Sequence, residues 1–218
     1  ITVDPQRNVL APGAVLVSGN EIADVGPSDA VAARWPAPDA VIDGRGKVVL
    51  PGFVSAHNHV GYAVFRGRGE DIGFAPALRL YNPMALLMSR DERRAIGCLG
   101  IAELLRGGTT TILEMEEEVD VFAPYIERVG MRAAMGVMVL DVDIDRMTAG
   151  ETVFDEAVRE RQLDQAIGFA ESWNGKAEGR ITAMMTANGT GTSSPELLRG
   201  LRDAADRLSL RLSIHIGT

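Results

Sequence analysis

The chain has 218 residues, 46% of them hydrophobic and 24% charged, with a formal net charge of −8. That length holds one sizeable core and a small second module, and the composition excludes a disordered or fibrous chain. The acidic excess argues against nucleic acid as a partner, and no apolar run approaches the roughly 20 residues of a membrane helix.

The first fifty residues are short and β-like. Ala14–Ser18 is an apolar run closed by Gly19-Asn20, and Glu21–Gly26 alternates with period two, so the pair predicts a hairpin. Val31–Trp35 predicts one helical turn, stopped by Pro36 and Pro38, and Ala40–Asp43 a further strand. Residues 1–50 thus form a small β module.

From Val48 to His57 the sequence is nearly all apolar, as expected of a strand covered on both faces. Ser89 and Glu92 form a capping box for a helix that ends at Gly107-Gly108, and Thr109–Met115 is β-branched and strand-like. A short helix is expected over Val121–Val129, a strand over Met131–Leu140 and a longer helix over Thr152–Trp173. Ile181–Ala187 is a strand, Ser194-Pro195 starts a helix to Leu208, and Leu210–Ile216 is the last strand. Five strands alternating with four helices predict an α/β fold with a parallel sheet over residues 51–218. Two architectures remain open at this point: the first five βα units of a (β/α)₈ barrel, or a doubly wound sheet, which would lack its usual Gly-rich phosphate loop.

Cys98, the one cysteine, has no internal disulfide partner, so a reducing cytoplasm is the expected compartment. It is expected to be a buried small hydrophobe. The chain opens on ITVDPQRN, without an initiator Met or a signal segment, and closes on RLSIHIGT, so both ends are expected to be cut.

Only three histidines occur, His57, His59 and His215, each at the end of a predicted strand. Residues i and i+2 of a strand project to one face, so His57 and His59 can reach one point. Imidazole suits zinc, iron or copper, and His215 occupies the sheet end where α/β sites are built.

Pro51–His59 (PGFVSAHNH) resembles the first-strand signature of the amidohydrolase superfamily, and Phe65-Arg66-Gly67 its deaminase and triazine-hydrolase branch. Leu104–Thr111, Ser194–Leu198 and Ile214–Ile216 are similar to later junctions of that family. The resemblance implies a barrel with part of an N-terminal β-sandwich over residues 1–50. It also implies one divalent metal, zinc or else iron, on His57, His59 and His215. An Asp and a His from the eighth and sixth strands, expected beyond residue 218, would complete the site. The absence of Lys from Ile181–Asn188 fits a single metal.

The implied activity is hydrolysis of a C–N bond in a small molecule by a metal-activated water, in an enzyme expected to form homo-oligomers. Thr218 stands where the deaminase branch usually has Glu, and Asn188 where it usually has a substrate-contacting His. Both favour an amide, urea or carbamate over an aminated heterocycle. The alternatives are a heterocycle deaminase, or a non-catalytic fragment completed by a missing C-terminal part. Glu114 is expected at the mouth of the site as a substrate contact. Glu116, Glu117, Glu118 and Asp120 are expected to form a solvated acidic loop, and Met84, Met88, Met184 and Met185 to fill core or pocket.

Overall fold

The computed structural model describes residues 1–68, 71 and 87–216. The chain divides into two compact units, Ile1–Gly52 and Phe53–Thr218. In the first, β1 (Gly13–Ser18) and β2 (Glu21–Pro27) pair antiparallel, and α1 (Ser28–Arg34) follows directly. Gly19 carries the turn at φ +60°, a conformation that favours glycine. Asp24 on β2 accepts hydrogen bonds from the Arg34 guanidinium at 2.8 and 2.9 Å and from the Trp35 indole at 3.0 Å, which fastens α1 to the hairpin. The strand expected at Ala40–Asp43 does not form. Val41 and Ile42 are 79% and 93% exposed, and among the described residues no neighbouring strand completes their ladder.

The second unit is a five-stranded parallel sheet of β3 (Phe53–Asn58), β4 (Thr109–Glu116), β5 (Arg132–Val139), β6 (Ile181–Ala187) and β7 (Arg211–Ile214). Its spatial order is the chain order, β3-β4-β5-β6-β7. A doubly wound sheet reverses direction at a switch point, so this order excludes that alternative. The sheet curls as in part of a barrel. Between the strands run α2 (Arg90–Arg106), α3 (Ala123–Val129), the short α4 (Ile144–Thr148), α5 (Glu156–Trp173) and α6 (Pro195–Leu208).

Local chemistry sets these boundaries. Ser89 and Glu92 make the reciprocal capping box of α2. Asp155 accepts from Val158 N–H at 2.9 Å, so α5 starts at Glu156, not at Thr152 as the apolar pattern suggested. Ser194 caps α6 with Pro195 at its first position. Two 3₁₀ helices, Val60–Phe65 and Val119–Val121, and α4 lie outside the predicted pattern; all three are too short to show a period.

Period-two alternation sorts the strands into two faces. Ile112, Met135, Val137, Ile181, Met185 and Ala187 belong to the main core with Phe122, Ile126, Phe169, Leu197 and Leu201 from the helical segments. Met115, Met138 and Met184 form a separate inner cluster with Leu113 and Ala134. The expectation that Val48–His57 is covered on both faces does not hold. Strand β3 starts only at Phe53 and lies at the edge of the sheet, so Phe53 and Val54 are 54% and 68% exposed. Edge placement, unlike apolar composition, is set by pairing elsewhere in the fold.

Candidate metal centre

Strand β3 delivers His57, and His59 follows it by one residue as the chain turns into the 3₁₀ helix. Strand β7 delivers His215, one residue beyond its end. One ligand atom from each ring lies within 4.8 Å of the others, and the ring centroids are 4.8 to 5.2 Å apart.

Two of the rings are oriented from behind by backbone carbonyls. His59 Nδ1–H donates to Met115 at 2.5 Å, and His215 Nδ1–H donates to Asn188 at 2.5 Å. A carbonyl only accepts, so both rings carry their proton on Nδ1 and present a bare lone pair on Nε2. Those two Nε2 atoms face each other at 3.2 Å. Two lone pairs at that distance repel, and a shared cation relieves the repulsion. Zn–N bonds of about 2.0–2.1 Å in tetrahedral geometry put ligand nitrogens roughly 3.4 Å apart, so the donor set fits one such ion.

Burial favours the neutral form of His59 and His57. It lowers the His59 pKa to about 4, with the two neighbouring imidazoles adding to the effect and the Met115 carbonyl opposing it. His57 is also lowered, first by burial and then by His215.

Sequence reasoning missed two side chains that shape this corner. Asn58 donates to the carbonyls of Ser55 at 3.2 Å and Leu113 at 3.3 Å, and so bridges the register break at the end of β3. Tyr62 stacks on His59 at 4.9 Å with 23° between planes. An aromatic three residues after a histidine was the available signal. The Met115 and Asn188 carbonyls had none, because every residue carries one.

Glu114 is fully buried and is not among the groups gathered at the histidines. Along β4 it shares the face of Ile112, which packs in the main core, whereas Leu113 and Met115 belong to the inner methionine cluster. Its carboxyl accepts from Val60 N–H at 3.2 and 3.3 Å, and that of Glu116 accepts from Gly61 N–H at 2.5 Å. Burial raises Glu116 to about 8 and Glu114 well above the ordinary carboxyl range, and Glu116 raises Glu114 further.

The expected solvated acidic loop is therefore absent. Glu116 is 1% exposed. Glu118 lies 2.9 Å from the buried Arg93, and both Glu118 and Asp120 pair with Arg90 at the start of α2. Cations from a neighbouring element neutralise acids that the local sequence shows as unpartnered.

Asn188, one residue past β6, is half-buried. Its amide oxygen accepts from Thr192 Oγ at 2.8 Å, its NH₂ lies 3.6 Å from the Met138 sulfur, and its carbonyl holds His215. Thr218 and Met84 lie outside the described residues. Met184 joins the inner cluster, Met185 the main core, and Met88 is half-buried. Cys98 is half-buried, not buried, and desolvation raises its thiol pKa.

Residues 48–218 match the Amidohydrolase family, and residues 13–37 match the bacterial imidazolonepropionase-like composite domain. A 5-methylthioadenosine/S-adenosylhomocysteine deaminase from Carboxydothermus hydrogenoformans is 31% identical over 203 residues, covering 93% of this chain and 44% of the relative. A 5'-deoxyadenosine deaminase from Methanococcoides burtonii is 28% identical and covers 99% of this chain and 46% of its own. Among solved structures, a triazine hydrolase variant superimposes with a TM-score of 0.78 at 17% identity, over 100% of this chain and 51% of that one. An atrazine chlorohydrolase mutant from Arthrobacter aurescens TC1, complexed with zinc and atraton, gives 0.77 at 18% identity, covering 100% and 51%. The chain spans about half the length of the curated relatives it matches. No described helix is long and apolar enough to cross a membrane.

Proposed function

Because this chain belongs to the amidohydrolase family, we propose that His57, His59 and His215 hold one divalent metal, zinc first and iron second, in an enzyme that hydrolyses C–N bonds. The observation that carries this reading is the pair of Nε2 atoms facing each other at 3.2 Å, each with its Nδ1 proton already committed to a carbonyl. When bound, the metal supplies Lewis acidity and lowers the pKa of water to about 7. The chain's own residues do the rest of the work available to them. Met115 and Asn188 fix the tautomers, burial excludes protons from His59, and Tyr62 supports its ring. The groups expected from the sixth and eighth strands are not among these 218 residues.

For the substrate, we infer a small aminated heterocycle of purine-nucleoside type that loses its amino group as ammonia. Relatives named as deaminases of such nucleosides match over nearly the whole chain, and this favours deamination over the amide or urea reading. Asn188, close to the histidine pair through its carbonyl, is the proposed substrate contact within the described residues. One observation sustains the amide, urea or carbamate reading: Thr218 stands where the deaminase branch usually has an acid. Hydroxyl groups do not deliver protons at neutral pH as carboxylic acids do. The N-terminal hairpin is proposed as part of a composite β-sandwich, and the whole protein as a cytoplasmic homo-oligomer.

Ammonia release by the zinc-loaded full-length protein tests the choice, with adenosine and 5'-deoxyadenosine set against simple amides and ureas. Faster turnover of the nucleosides by tenfold or more supports deamination. Preference for amides or ureas overturns it in favour of the second reading, and no turnover on either set, with metal bound, favours a non-catalytic role.

A further inference from the structure

Three consecutive residues at the end of β4 meet three consecutive residues after β3, one for one. The Met115 carbonyl takes the His59 ring, the Glu114 carboxyl takes Val60 N–H and the Glu116 carboxyl takes Gly61 N–H. We propose that Glu114 and Glu116 are positioning residues for the metal centre, a buried carboxyl clamp that fixes the Val60–Gly61 backbone and, through it, the direction of the His59 ring. This rests on the reading of the histidines as metal ligands.

Burying two acids side by side is expensive, and β4 places them on the same face as Ile112, which packs in the apolar core. Backbone N–H groups at a turn are ordinarily satisfied by water or a short hydroxyl side chain, at far lower cost. What the two carboxyls add is rigidity from a packed strand. The turn is shaped to receive them: a Cβ at Gly61 would lie 2.5 Å from Glu116 Oε2, so a larger residue there would push that carboxyl out of its place. On the other side, Gly100 of α2 lets the Val60 carbonyl approach, since a Cβ there would lie 2.9 Å from it. Val60 is thus held by its N–H from β4, and its C=O lies close against the glycine of α2, one residue after a proposed metal ligand. Groups that orient a ligand without touching the metal typically change affinity by about 10–100-fold.

Cobalt(II) titration of the purified chain, followed by d–d absorbance, tests the clamp, with circular dichroism and thermal melting of each metal-free variant alongside. Glu116→Leu is expected to weaken Co²⁺ binding by about 10-fold or more. Glu116→Gln, which keeps an acceptor of the same reach, is expected to stay within about threefold of wild type. A purely structural role would lower the melting temperature of Glu116→Leu and leave the affinity of the folded fraction unchanged; that result overturns the clamp. If Glu116→Leu does not fold, Glu116→Asp keeps the acid but shortens its reach, and wild-type affinity in that variant equally overturns it. Failure of the wild-type chain itself to bind Co²⁺ is a different outcome: it overturns the metal reading, and the clamp's role with it.

Discussion

The Nε2 atoms of His59 and His215 lie 3.2 Å apart across 156 residues of sequence, held there by carbonyls of Met115 and Asn188. Parallel strands bring them together, since each strand ends at the same edge of the sheet and each histidine follows directly on its strand.

Removal of one ligand should therefore abolish tight binding. His59→Ala or His215→Ala is expected to reduce zinc content, measured by elemental analysis after dialysis, to less than about a tenth of wild type, because a site of two ligands lacks the geometry of a zinc centre. Equal zinc in wild type and both variants would place the metal elsewhere.

The His59 pKa of about 4 sets a second expectation. An imidazole that stays neutral down to that pH does not compete with metal by protonation at pH 6. In the metal-free protein, NMR titration should show the His59 ring changing near pH 4, well below an ordinary histidine. A midpoint above 6 would contradict the burial argument.

Glu116 gives the pH dependence of stability. Its carboxyl pKa is about 8 in the folded chain against 4.5 as the ordinary value, so between those limits the folded state holds more protons than the unfolded one. Stability contributed by the neutral acid is complete below pH 4.5 and is lost as pH rises through 8. His59 and His57, both lowered, act with the opposite sign below pH 6.5 and are silent above it. Urea denaturation of the metal-free chain between pH 6.5 and 8 should show falling stability, and Glu116→Gln should flatten the slope. A wild-type profile flat across that window would be the contrary result.

Helix α2 offers a packing test. A Cβ at Gly97 would overlap the fully buried Phe122 ring, whereas one at Gly168 of α5 meets nothing within 4 Å. Gly97→Ala is expected to destabilise by about 1–3 kcal/mol through overpacking. Gly168→Ala is expected to stabilise by up to about 1 kcal/mol through helix propensity. Chemical denaturation of the two variants should move in opposite directions.

The alternation of strand and helix, the capping residues Ser89 and Ser194, and the placement of all three histidines at strand ends are local in the chain, and each was readable there. Periods of two and of 3.6 and N-cap chemistry involve neighbours within a few residues. The choice between barrel-like and doubly wound order, the exposure of β3 as an edge, and the fate of Glu114 and Glu116 were decided only in three dimensions. The acid run after β4 reads as solvated because its partners, Arg90, Arg93 and the N–H groups of Val60 and Gly61, lie more than 20 residues away. A side chain's period along a strand states which face it shares, but whether that face meets water, a helix or another turn depends on pairing between distant segments. Burial and charge at such positions follow from tertiary contact alone.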